Sequence, residues 1–162
     1  MNKRGFTLVE LLVVVAVIGV LAALATTAYV GTMKKAARSE AYANLQSLRL
    51  LEEQFFAENA CYQPLAGGLC PANNATVAGA NNIKTGFLPG FQPGGNPAQL
   101  PDFGLSFTYQ IQQNMQVTTI ANPPAFASTL PAICFTAIAT GVAGTRVAGD
   151  VFAIDCNNNR NF

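Results

Sequence analysis

Lys3-Arg4-Gly5-Phe6-Thr7-Leu8-Val9-Glu10-Leu11-Leu12 opens an apolar run that continues to Val30, and the fold turns on how that run is read. From Leu11 to Val30 there is no charged residue, and no proline interrupts the Leu, Val, Ala and Ile that dominate. Twenty residues at ~1.5 Å rise make a helix ~30 Å long, the thickness of a bilayer's hydrocarbon core. Lys3 and Arg4 stand ahead of the run. Two positive charges there hold a short N-terminal flank on the cytoplasmic side and send the rest of the chain across. The run is a membrane-inserting segment.

Glu10 is the feature that this simple reading leaves over. A carboxylate inside an apolar span costs on the order of 3 kcal/mol on insertion scales, so it marks a function and a partner unless it snorkels or takes up a proton. The whole string from Lys3 to Leu12 resembles the signal of type IV pilins and pseudopilins. It has a short basic leader ending in glycine, then Phe-Thr-Leu-x-Glu, then about twenty apolar residues. The resemblance covers Lys3 to Tyr29 closely and is only architectural beyond. It implies that a prepilin peptidase cuts between Gly5 and Phe6 and methylates the new amine of Phe6. It also implies that Glu10 meets the N-terminus of a neighbouring copy as the apolar helices pack into a filament core.

Where many members of that family have a helix-loosening proline, this chain has Thr27, with Thr26 before it and Gly31 after. These weaken a helix less sharply than proline does. A second reading of the same residues is a secretory signal peptide cut after Ala25, at Ala23-Leu24-Ala25. Against it, the run exceeds the usual 7–15-residue apolar core and contains a glutamate.

Composition sets the outer limits. The 162 residues suit a membrane segment and one further domain. Charged residues make up 10 %, well under the quarter or so usual in soluble domains. Lys and Arg number 9 against 8 Asp and Glu; without Lys3 and Arg4 the balance is 7 to 8. Near-neutrality without a basic patch offers nothing to a nucleic-acid backbone. The four cysteines, Cys61, Cys70, Cys134 and Cys156, all lie beyond the membrane segment. An even number in an exported head reads as two disulfides, with free buried thiols as the alternative. Of the three possible pairings we expect Cys61–Cys70, closing a short loop, and Cys134–Cys156, tying two late strands. No C-x-x-C occurs, so zinc and thioredoxin-like chemistry have no support.

Small residues recur every fourth position at Gly19, Ala23, Thr27 and Gly31, one ridge of a helix along which another helix approaches closely. Such residues are also simply common in membrane helices. Lys34, Lys35 and Arg38 follow on the far side. The helix then continues, for Ala41, Leu45, Leu48, Leu51 and Phe55 recur at three- and four-residue steps while Arg49, Glu52 and Glu53 are placed facing away. The expectation is one helix over 6–58, with 6–30 in the membrane or filament core, after a leader of residues 1–5. Residues 59–162 form the head.

Within the head, 61–101 reads as a loop region, with turn signals at Pro89-Gly90, Pro93-Gly94-Gly95 and Asn96-Pro97. Asn74-Ala75-Thr76 is a glycosylation sequon of the kind that chance often supplies. Leu105, Phe107, Tyr109 and Ile111 alternate with polar residues as in a half-buried strand, and Gln113-Asn114 suggests a turn into a second strand over 115–120. Residues 132–140 and 151–155 read as the third and fourth strands, joined by a glycine-rich connection. Sequential strands with turns argue an antiparallel sheet. The fold class is therefore α+β: a long N-terminal helix, membrane-embedded in its first half, packed on a four-stranded antiparallel head, pilin-like in outline.

The chain has no histidine and no tryptophan, which excludes Ser-His-Asp and Cys-His nucleophile systems. Among the head's few acidic residues, Glu58, Asp102, Asp150 and Asp155, no cleft signal supports a carboxylate pair. Gly141-x-x-Gly144 lacks the lysine of a phosphate loop. Asp155-Cys156-Asn157-Asn158-Asn159 offers oxygens at alternate positions, as calcium loops do, but has Arg160 where the loop's glycine belongs and no glutamate beyond. No catalytic residue, metal or cofactor is assigned, and no enzyme activity is expected. The reading is a structural subunit whose partners are copies of itself, the prepilin peptidase, an inner-membrane assembly platform and, before assembly, membrane lipid. It resides in the bacterial inner membrane and then in a surface or periplasm-spanning filament. Type II secretion pseudopilin and minor pilin stand as alternatives within the family. A membrane-anchored or secreted, disulfide-tied binding module stands outside it.

Overall fold

The structure, a computed structural model, describes residues 6–62, 76–86, 88–94, 104–113 and 134–162. Its first element is α1, Leu8–Asn59, an α-helix of 52 residues. It starts two residues later than the expected 6–58 because Thr7 takes the capping position. It ends where Ala60 turns into the left-handed region at φ 56°, its N–H donating to the Phe56 carbonyl at 2.7 Å. That is the usual way to close a helix, made here with alanine in the position that glycine occupies most cheaply. The chain divides into two compact units, one up to Ala36 and one from Ala37 to Phe162.

In the second unit four strands form one antiparallel sheet in the order β1-β2-β3-β4: β1 Thr76–Ala78, β2 Phe107–Gln113, β3 Phe135–Gly141 and β4 Val151–Asp155. Three of these are the expected strands at 105–112, 132–140 and 151–155, shifted by a few residues. The expected strand at 115–120 lies outside the described residues. At Gln110–Gln112, β2 has β1 on one side and β3 on the other. The loop reading of 61–101 needs a correction, since β1 and the short helix α2, Ala80–Gly86, both lie within it. Gly79 joins them at φ 92° and donates its N–H to the Tyr109 carbonyl at 2.7 Å. Elements of three and seven residues leave too little periodicity for pattern reading to find.

The core sits between α1 and the sheet. Ala41, Leu45 and Leu48 are 0 % exposed and cluster with Phe91, Phe107, Tyr109, Phe135 and Ile154. Burying each large apolar side chain stabilises the unit by roughly 1.5–3 kcal/mol. Glu52, placed on the outer face by the sequence reading, is fully buried instead. At 3.6 residues per turn it lies four after Leu48 and seven after Leu45, on the core stripe itself. The β3–β4 connection folds tightly over Gly141, where a Cβ would lie 1.9 Å from the Val147 carbonyl oxygen, so only glycine fits. Its far end is clamped by Arg38, whose Nε and Nη2 each reach an Asp150 carboxylate oxygen at 2.8 Å.

Candidate functional site

The site begins with the helix start. The first turn of any α-helix leaves backbone N–H groups without intrahelical acceptors, and in lipid no water replaces them. Here Thr7 donates from both its N–H and its Oγ1 to Glu10 Oε2, each at 2.9 Å, and the Glu10 N–H donates back to Thr7 Oγ1 at 3.2 Å. This is a capping box, the reciprocal bonding of Thr-x-x-Glu at the head of an apolar run. The carboxylate also lies at the positive end of the helix dipole. Reading Glu10 only as an unmatched charge misses this local partner; the signal was Thr7 three residues ahead of it.

Phe6 precedes the cap with 85 % of its surface exposed, and Leu21, midway along the run, is 60 % exposed. None of the most apolar stretch of α1 is buried within the chain, and its length and composition suffice to cross a membrane. Hydroxyls in this half bond to the preceding turn: Thr26 Oγ1 to the Ala23 carbonyl at 3.0 Å, Thr32 Oγ1 to those of Ala28 and Tyr29 at 3.2 and 2.8 Å. Each such bond spares a polar group in an apolar setting. Gly19 and Gly31 have open space where a Cβ would stand.

The remaining candidate residues are placed as follows. Gly5 lies outside the described residues. Cys134 and Cys156 are joined in a disulfide with Cα atoms 5.5 Å apart, linking the start of β3 to the end of β4. Cys61 is disulfide-bonded, and Cys70, the partner inferred from the sequence, lies outside the described residues, as does Asn74 of the sequon. At 155–159 the structure turns Asp155 onto its own loop. Asp155 is fully buried; its Oδ1 accepts from the N–H groups of Asn157 and Asn159, and its Oδ2 from Asn159 Nδ2, all at 2.9 Å. Its oxygens thus serve to hold the 155–159 turn. Among the described residues no group of three metal-ligating side chains is assembled.

Residues 1–26 match the family model described as the prokaryotic N-terminal methylation motif. The chain is 43 % identical over 65 residues to the type IV major pilin protein PilA of Myxococcus xanthus, a match covering 40 % of this chain and 30 % of that protein. It is 39 % identical over 84 residues to the type IV major pilin protein PilE of Neisseria gonorrhoeae, covering 51 % and 46 %. To the type II secretion system core protein G of Escherichia coli it is 31 % identical over 90 residues, covering 54 % and 62 %. The chain spans less than half the length of the first two of these relatives. No solved structure matches it. The chain thus carries the N-terminal methylation motif over residues 1–26, and it is similar to type IV pilins and to a type II secretion core protein over 65 to 90 residues.

Proposed function

We propose that this protein is a structural subunit of a type IV pilus or pilus-like filament, held in the inner membrane by the first half of α1 until it polymerises. The observation that carries the reading is the coincidence of the methylation motif with a capped apolar helix whose most apolar stretch is nowhere buried within the chain. Prepilin peptidase cuts between Gly5 and Phe6 and methylates Phe6, and an inner-membrane platform then delivers the subunit to the filament. In the polymer the Glu10 carboxylate, already turned toward its own N-terminus by Thr7, meets the Phe6 ammonium of an adjacent copy. Desolvation there strengthens the pair and sets the axial register. The role is assembly, with no catalytic group assigned. A pseudopilin role in type II secretion is the second reading, favoured by the match to 62 % of core protein G.

Two measurements test the proposal. Mass spectrometry of the mature chain is expected to give an N-methylated Phe6 terminus; a chain starting at Thr26 overturns the reading in favour of a soluble secreted protein. Glu10→Ala is expected to insert and be cleaved normally, while its share of sheared filaments falls at least about tenfold, since an ammonium stays buried without its partner. Normal incorporation of Glu10→Ala removes Glu10 from assembly and favours an anchored binding module.

A further inference from the structure

Among the described residues the sheet runs β1-β2-β3-β4, so β4 stands at one of its edges. Edge strands present rows of unpaired N–H and C=O groups, templates for pairing with another chain. In a protein whose heads are packed at high local concentration, two such edges meeting would join in a register unrelated to that of the helices. The antiparallel register with β3 turns the backbone groups of Val151, Ala153 and Asp155 outward from the sheet.

Residues 157–162 fold back along this edge. Asn161 Nδ2 donates to the Val151 carbonyl at 3.0 Å, and Asn161 Oδ1 accepts from the Ala153 N–H at 2.8 Å. The Asn161 N–H donates to the Ala153 carbonyl at 3.3 Å. The Asp155 N–H donates to the Asn159 carbonyl at 3.0 Å, and the Asp155 carbonyl accepts from the Asn158 N–H at 3.0 Å. From the Val151 carbonyl to the Asp155 carbonyl, every outward group is therefore taken. The side-chain amide of Asn161 does the work of a peptide group, with one donor and one acceptor in the places a partner strand would supply. Beyond it Phe162 stacks on Tyr42 of α1, ring centroids 4.4 Å apart and planes within 6°. Arg160 lies over the Phe162 ring at 5.7 Å. The segment is pinned at its root by the Asp155 turn and at its end by aromatic stacking.

We propose that residues 157–162 are an edge-sealing strap, and that the surface it occupies is a β-strand docking edge for a second copy's β4. Sealed, the head has no strand-pairing surface at β4, so copies associate through other faces. Released, it pairs edge to edge. Asn161 is the residue on which the seal depends, because it alone contributes three of the five bonds.

The test uses the full, unpolymerised chain in detergent, so its failure is distinct from failure of the filament reading. In Asn161→Ala the Ala153 amide is expected to exchange with solvent roughly five- to tenfold faster, while the β3-facing amides of Phe152 and Ile154 stay unchanged. With rising concentration the variant is expected to dimerise where the parent chain does not, as read by light scattering. Adding Val151→Lys, an edge charge, is expected to abolish that dimer without restoring slow exchange. Phe162→Ala, which leaves the three Asn161 bonds, is the milder variant should Asn161→Ala unfold; it is expected to give a smaller rise in exchange and partial dimerisation. Unchanged exchange at Ala153, or faster exchange with no association in either variant, overturns the proposal.

Discussion

The two halves of α1 make opposite use of the same helical period. Between Ala41 and Leu48, Ala41, Leu45 and Leu48 occupy one stripe and are fully buried in the core beside the sheet. Between Leu8 and Val30 they occupy every face, and all the large ones remain about half exposed or more. A stripe needs one partner surface, which a single chain can supply. Apolar residues on all faces need a surrounding medium, either lipid or the helices of other copies. The head half of α1 thus contributes to the stability of the folded unit, and the first half leaves its apolar surface without a partner inside the chain.

Substitutions at matched positions sharpen that contrast. Leu45→Ala is expected to cost the head about 2–5 kcal/mol through lost burial and a residual cavity. Leu21→Ala is expected to leave the same denaturation midpoint within about 0.5 kcal/mol, because the Leu21 side chain is 60 % exposed. Chemical denaturation of both variants in detergent, followed through head tyrosine fluorescence, decides it. An equal loss would break the division between the halves.

A smaller effect concerns the end of the head half. Tyr62 stacks on Phe56, and its hydroxyl donates toward both Glu53 oxygens at 3.3 Å. Burial, followed by the nearby Glu53 charge, pushes its pKa up to about 12. The unfolded value is about 10, so the folded state binds the proton more tightly. The stability tied to the neutral hydroxyl is therefore complete below about pH 10 and is lost as pH rises toward 12. Tyr62→Phe is expected to flatten this alkaline slope in denaturation curves, while the first half of α1, with no such group buried, is indifferent to it.

The smallest expected effect is at Arg38, just past the boundary between the units. Its pKa is raised chiefly by the hydrogen bonds to Asp150, and its side chain is 36 % exposed against 15 % for the aspartate. Screening limits such a pair, so Arg38→Ala is expected to cost about 1 kcal/mol or less. Lysine, lacking the planar fork, is expected to recover only part of this. A double-mutant cycle with Asp150→Ala measures the coupling.

The reading of individual residues shows where sequence patterns carry information. The apolar helix was legible because twenty uncharged apolar residues in a row make a continuous helix long enough to cross a membrane. The core stripe of Ala41, Leu45 and Leu48 was legible from its period, yet Glu52 was misplaced because a charge was assumed to face water even at a core position. The capping box at Thr7 and Glu10 was present in the letters, and it was overshadowed by Glu10's strangeness as a charge. Strands β2, β3 and β4 were found through alternation or apolar continuity, whereas β1 and α2 were too short to show any period.

By itself, then, the sequence determined the long apolar helix, the methylation motif at its start, the amphipathic continuation and the antiparallel character of the head. These depend on local periodicity and composition, which a linear string records. Only the tertiary structure decided which strands neighbour one another, that Asp155 closes on the backbone of its own turn, and that Asn161 completes the edge of β4. Each of those depends on hydrogen-bond donors and acceptors meeting across a turn or between segments, and no periodicity in the chain records where a backbone group will find its partner.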